Sequence, residues 1–418
     1  MPPHIHPARS QPPSAEPLSP NPGRRRFMRI MAGSAAAATV SASGMGWLPS
    51  ASAPRFAYVG RAGKGANAGA IEAFAVHAGG WRHLQTLTSA RPAALALHPS
   101  RRYLYAANDI ETYRGLPTAT VEAYRIGAGG ELELLTRQPL ALSAVHPRHL
   151  AVSPDGRWLA VAVTGGGAYN LLPIAPDGRL GPVAGIFKET GSGPLQPRQA
   201  SAHPRTVVFA GGRLLSADLG SDRINVLNLE EAPLAASGAR PPACVPASLI
   251  VAQRLAATGG SGPSQLVLHP RGHLLFVLNE LNASLSTYAY DADAGRLARR
   301  DRRVRLPQAA GGGPARLAVQ PAGRFLFASY SGGGGDRIAV WRITANAVLQ
   351  PVQAAVNGWG AARIAALAAV TTPGGGRLFA LDFQNGRVLA LPLDEVTGRL
   401  DRPAVVAAVP APLSLALS

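Results

Sequence analysis

Pro147-Arg148-His149-Leu150-Ala151-Val152, followed closely by Pro154-Asp155-Gly156-Arg157-Trp158-Leu159-Ala160, is the stretch from which the fold is read. A proline opens an apolar run too short for a helix, an Asp-Gly turn reverses the chain, and a second apolar run returns. The unit recurs at Pro92 with its return at Tyr103, at Pro204 with Arg213, at Pro263 with Leu274, and at Pro314 with Phe325. A degenerate copy begins at Ala366 and reaches Pro373. A seventh begins with Pro412-Leu413-Ser414-Leu415-Ala416-Leu417, and its continuation stands at the other end of the sequence as Arg55-Phe56-Ala57-Tyr58-Val59-Gly60.

The starts lie 46 to 59 residues apart, enough for four short strands and their turns. Third runs are visible at Val121–Ile126, Ile224–Leu229, Leu285–Tyr290 and Ile338–Ile343, and fourth runs at Leu132–Thr136 and Leu349–Val352. Four antiparallel strands per repeat, arranged radially, predict an all-β, seven-bladed β-propeller. The split repeat predicts that one blade joins a C-terminal inner strand to N-terminal outer strands. That arrangement closes the ring and leaves no free sheet edge between first and last repeats, whereas a solenoid requires capped ends.

Composition agrees with this reading. Of 418 residues 47% are hydrophobic and 15% charged, which excludes a disordered chain, and 47 Gly with 37 Pro are too many turn formers for a helical bundle. The single cysteine, Cys244, excludes an intrachain disulfide framework and a Cys-cluster metal site. The net charge of +18 is almost entirely arginine, with Lys64 and Lys188 the only lysines. It favours an anionic ligand, but no nucleic-acid motif and no basic stripe interleaved with aromatics is present.

Residues 1–53 read as a removable leader. Arg24-Arg25-Arg26-Phe27-Met28-Arg29 precedes a weakly apolar stretch from Ile30 to Leu48, and Ala51-Ser52-Ala53 offers a cleavage site. The paired arginines resemble a twin-arginine export signal. Removal leaves a charge of +14 and one expected domain, 54–418. The expectation is an exported monomer with no stable membrane anchor after processing and no nucleic-acid partner.

In an antiparallel blade the approach to each inner strand and each second-to-third loop share one rim. That rim gathers Asn108, Asp109, Arg148, His149, Gly165–Gly167, Arg198–Arg205, Asp218, Asp222, Asn279, Glu280, Tyr330, Asp382 and Asn385 at one mouth of the central channel.

The unit at 147–157 resembles the seven-bladed lactonase family, typified by bacterial 6-phosphogluconolactonase. So do Gly191-Ser192-Gly193-Pro194 through Arg198-Gln199 to His203, Ala217-Asp218-Leu219-Gly220-Ser221-Asp222-Arg223, and Leu278-Asn279-Glu280-Leu281. The resemblance runs through essentially all of 55–418. It implies hydrolysis of a small lactone, without cofactor or metal. Such chemistry needs a base to activate water and donors for the oxyanion, for which Glu280 and His203 are the candidate bases. Arg198 and Arg205 are expected to clamp an anionic group, with Gln199, His149, Asn279 and Asn108 as further substrate-binding residues. No Gly-x-Ser-x-Gly elbow is present, so a serine acyl intermediate is not expected.

The chain departs from the family pattern at several polar positions. Ala200 stands at an acid position, Arg205 at that of a second histidine, Ser264-Gln265 where Arg-His is usual, Tyr330-Ser331 where Asn-Arg is usual, and Val163-Thr164 where Asn-Tyr is usual. Two functions therefore compete: a hydrolase of a sugar-type or related anionic lactone, and a non-catalytic exported propeller binding a small ligand or protein across the same rim. A calcium-dependent six-bladed lactonase ranks behind both, because seven units are counted and no carboxylate ligand set is evident. Export argues against 6-phosphogluconolactone itself, which is made in the cytosol.

Overall fold

The second strand of each repeat is apolar along its length instead of alternating, because both its faces are covered. Every residue of Tyr103–Asn108 and of Leu274–Asn279 is buried. The computed structural model describes residues 53–65, 68–231, 246–307, 316–332, 334–356, 359–372 and 374–418. Residues 1–52, which hold most of the expected leader, and Cys244 lie outside the described residues. Among the described residues, 28 strands form seven four-stranded antiparallel sheets, and there is no helix. This is the seven-bladed propeller that the repeat predicts.

The core is divided among the gaps between blades. Ala57 and Val59 pack with Phe379 and Leu381 of the preceding blade, while Tyr58 between them packs with Leu104 and Tyr124 of the following blade. Alternate side chains of one strand therefore serve opposite neighbours, as the two-residue period of a strand requires. Seven such apolar clusters fill seven gaps. Polar clasps repeat between blades as well. The side-chain amides of Gln85, Gln253 and Gln353 each accept from a neighbouring-blade N–H and donate to the same residue's carbonyl, at Leu132, Leu297 and Leu400.

Closure occurs where the split repeat places it. Pro412–Leu417 pairs antiparallel with Phe56–Ala62, from Ala57↔Leu417 to Arg61↔Pro412. Arg55 N–H donates to the Ser418 carbonyl at 2.7 Å, and Ser414 Oγ donates to the Pro92 carbonyl of the next blade at 2.8 Å.

The inner strands share a local irregularity that explains the repeat's proline. Pro92 pairs with Asn108 but Ala94 with Ala107, so Ala93 is the extra residue of a β-bulge. The same shift follows Pro147, Pro204 and Pro263, making Arg148, Arg205 and Ser264 the extra residues. Proline lacks an N–H to donate, and strand starts and bulges are where a sheet tolerates it. The register also corrects the sixth start. Ile364 pairs with Asp382 across an equivalent bulge, so that inner strand starts at Ile364, two residues before the Ala366 read from sequence. An isoleucine in the proline's place hid the start.

Candidate active site

A bulge turns its extra side chain out of the regular pleat, and here it aims two arginines at neighbouring blades. Arg148 Nη1 lies 3.1 Å from Asp109 Oδ2, and Arg205 Nη2 lies 2.8 Å from Glu280 Oε2. Asp109 and Glu280 occupy the same place in their repeats, one residue beyond the second strand. Each carboxylate holds further partners. Asp109 also binds Arg91 Nε at 3.3 Å and His146 Nδ1 at 2.9 Å, and Glu280 binds Arg198 Nη2 at 2.5 Å.

Only 7% of the Glu280 side chain is exposed. Burial alone would raise its pKa, but Arg205 and Arg198 outweigh burial and hold it below the usual carboxylate range. The carboxylate is therefore ionised at neutral pH with both oxygens engaged, which suits it to positioning arginines better than to taking a proton. The arginines crowd one another. Desolvation, with the positive charges of Arg205 and Arg91, outweighs Asp109 and pulls the Arg148 pKa below its ordinary value. Arg316 is lowered to about 10, first by burial and then by Arg205 and Arg363, against the opposing effect of Glu280. Arg91, Arg316 and Arg363 escaped the sequence reading. They sit at inner-strand starts like Arg148 and Arg205, but at different offsets from the proline.

His203 stands in the same region, at the end of the connection carrying Arg198. Its N–H donates to Asp218 Oδ1 at 2.5 Å, and its ring Nδ1 lies 3.1 Å from the Arg198 carbonyl. A carbonyl only accepts, so Nδ1 donates to it, and in the neutral ring Nε2 presents its lone pair, 3.5 Å from Ser201 Oγ. Gln199 is fully buried, accepts from Leu195 N–H and donates to the Leu219 carbonyl. It shapes the loop that carries Arg198 and does not reach the mouth.

Asn108 and Asn279 do not reach it either. Both are buried at the last position of a second strand. Asn108 donates to Ser89 and Glu122, and Asn279 donates to Ser284 and Ser286. Asp218 and Asp382 occupy the corresponding position and likewise bind their own turns. Tyr330 donates to the Ala354 carbonyl on the outer side of its blade, and Asp222 accepts from the N–H groups of Gly260 and Gly262. Among the described residues, no group of three His, Cys, Asp or Glu side chains is placed to hold a metal ion.

His149 lies deeper, where inner strands enclose a cavity of about 390 Å³ lined mostly by apolar residues. Its Nδ1 has no partner among the described residues, and burial lowers its pKa from 6.5 to about 4. The folded protein thus refuses a proton that the unfolded chain accepts. Stability conferred by the neutral ring is full above pH 6.5 and is lost as pH falls toward 4. The linkage amounts to about 3 kcal/mol. Denaturant titrations at pH 7 and pH 4.5 are expected to show a smaller acid loss for His149→Gln than for the parent protein.

Comparison with known proteins supplies the family. The model for "Lactonase, 7-bladed beta-propeller" matches residues 56–417. A 6-phosphogluconolactonase of Formosa agariphila is 26% identical over 263 residues, covering 60% of this chain and 67% of the relative. One from Pectobacterium carotovorum is 26% identical over 241 residues, covering 56% and 62%. In fold, the periplasmic gluconolactonase of Pseudomonas aeruginosa superposes with a TM-score of 0.72 at 24% identity, covering 87% of this chain and 99% of that one. With a family model spanning nearly all of the described propeller, this chain belongs to the seven-bladed β-propeller lactonase family.

Proposed function

We propose that the protein hydrolyses a small anionic lactone at the arginine-lined mouth of its channel. The observation that carries this reading is Glu280 bridging Arg198 and Arg205 beside His203, whose Nε2 has only the long 3.5 Å contact to Ser201 Oγ. The curated relatives named 6-phosphogluconolactonase support the reaction class. An acidic or phosphorylated substrate, and the carboxylate product, suit a site where guanidinium groups outnumber carboxylates.

In the reaction, water attacks the lactone carbonyl carbon while His203 Nε2 takes a proton from it. Arg205 and Arg198, fixed by Glu280, stabilise the oxyanion. The ring C–O bond breaks, and the departing alkoxide recovers the proton from His203, giving a hydroxy acid. Of the two bases expected from sequence, His203 suits the task better, because Glu280 is already held by two cations. We further propose that the protein acts after export. The Arg24–Arg29 leader sequence and the fold-level likeness to a periplasmic gluconolactonase support this.

The test is pH-stat hydrolysis of sugar and aromatic lactones, charged and uncharged, by purified protein against an unfolded control. His203→Gln is expected to lower kcat about 100-fold with little change in KM. Turnover of no lactone would favour a binding protein, and full turnover by His203→Gln would remove His203 as base.

A further inference from the structure

The channel has two ends of opposite character. Inner strands begin at the arginine mouth and finish at the other rim, where the turns carrying Arg101, Pro154 and Pro321 lie. The 390 Å³ cavity belongs to that second rim: its walls are the later halves of five inner strands, and no arginine of the mouth lines it. We propose that this end is a second binding site, for a carboxylate carried on an apolar body such as a medium-chain acyl group.

The walls select against a polyol. Leu95, Leu97, Val207, Phe209 and Val370 contribute hydrocarbon, and the polar side chains are His149 and Thr371 within and Arg101 near the rim. A sugar lactone placed deep inside would exchange several hydrogen bonds to water for His149 and Thr371 alone. An engineered apolar cavity of about 150 Å³ is enough for benzene, so this one accommodates a chain of eight or so carbons. The ligand's charge is indicated by Arg101. This half-buried residue stands at the cavity wall near the rim, and its guanidinium makes no ion pair among the described residues. An apolar tail inside with a carboxylate at Arg101 satisfies both features, whereas an alcohol satisfies only the first.

Calorimetry with octanoate, octan-1-ol and gluconate as probes tests the site. Octanoate is expected to bind saturably, octan-1-ol about tenfold more weakly, and gluconate not at all at this end. Arg101→Gln should weaken octanoate about tenfold and leave octan-1-ol unchanged. Ala369→Trp, which fills the cavity, should abolish binding of both. Arg205→Gln at the opposite mouth should alter neither, which separates this site from the proposed hydrolytic one. Absence of saturable octanoate binding, equal affinity for the alcohol, or loss of binding in Arg205→Gln would each overturn the proposal. If Ala369→Trp lacks a cooperative melt, the surface variant Arg101→Gln decides alone.

Discussion

Deleting Pro412–Ser418 is expected to leave no cooperatively folded protein. The segment supplies the inner strand of a blade whose other three strands come from the opposite end of the chain. Without it Phe56–Ala62 becomes an open edge, and the clusters containing Leu415, Leu417 and Ala416 lose packing on both sides of that blade. Net domain stability is about 5–15 kcal/mol, so the loss of a whole strand exceeds what the remainder can absorb. A point substitution probes the same seam. A Cβ on Gly60 would lie 2.4 Å from the Pro92 carbonyl oxygen, backbone that cannot move aside alone. Gly60→Val is therefore expected to cost about 3 kcal/mol, whereas Val396→Ala, at a site 74% exposed, should stay within about 0.5 kcal/mol. Denaturant unfolding of the three variants distinguishes a closed ring from a chain whose ends are dispensable.

The second large effect is catalytic. Replacing Arg198 and Arg205 together by Gln is expected to lower kcat/KM for an anionic lactone about 1000-fold. Both guanidinium groups converge on Glu280, so each alone leaves the other in place and the single variants should be milder. An uncharged lactone should lose less, because it forfeits the oxyanion contact but not the ionic one.

The architecture was legible because a propeller repeats its constraints. Pro92, Pro147, Pro204 and Pro263 recur where a bulge opens an inner strand, and the split repeat at Pro412 marked the closing blade. Among the starts that lie within the described residues, only the copy lacking proline, at Ile364, differs from the position read in the sequence. The site was less legible for a physical reason. Asn108 and Asn279 look like ligand-binding amides, yet with Asp218 and Asp382 they fill one repeat position whose side chains are spent on hydrogen bonds to neighbouring strands and turns. A position polar in several repeats serves the blade. The mouth is built instead from two other repeat positions: the bulge residue, charged at Arg148 and Arg205, and the residue just past the second strand, charged at Asp109 and Glu280. Arg91, Arg316 and Arg363 join them only because the ring brings strand starts together, a convergence that linear offsets do not display.

Recognition of a lactone's negative charge by the arginine mouth is read from the ratio of kcat/KM for an acidic lactone to that for its uncharged counterpart, measured at low and high ionic strength. The ratio is expected to lie well above one, to fall as salt screens the guanidinium groups and to collapse in the Arg198→Gln, Arg205→Gln double variant. A ratio near one, indifferent to salt and to both substitutions, would contradict such recognition.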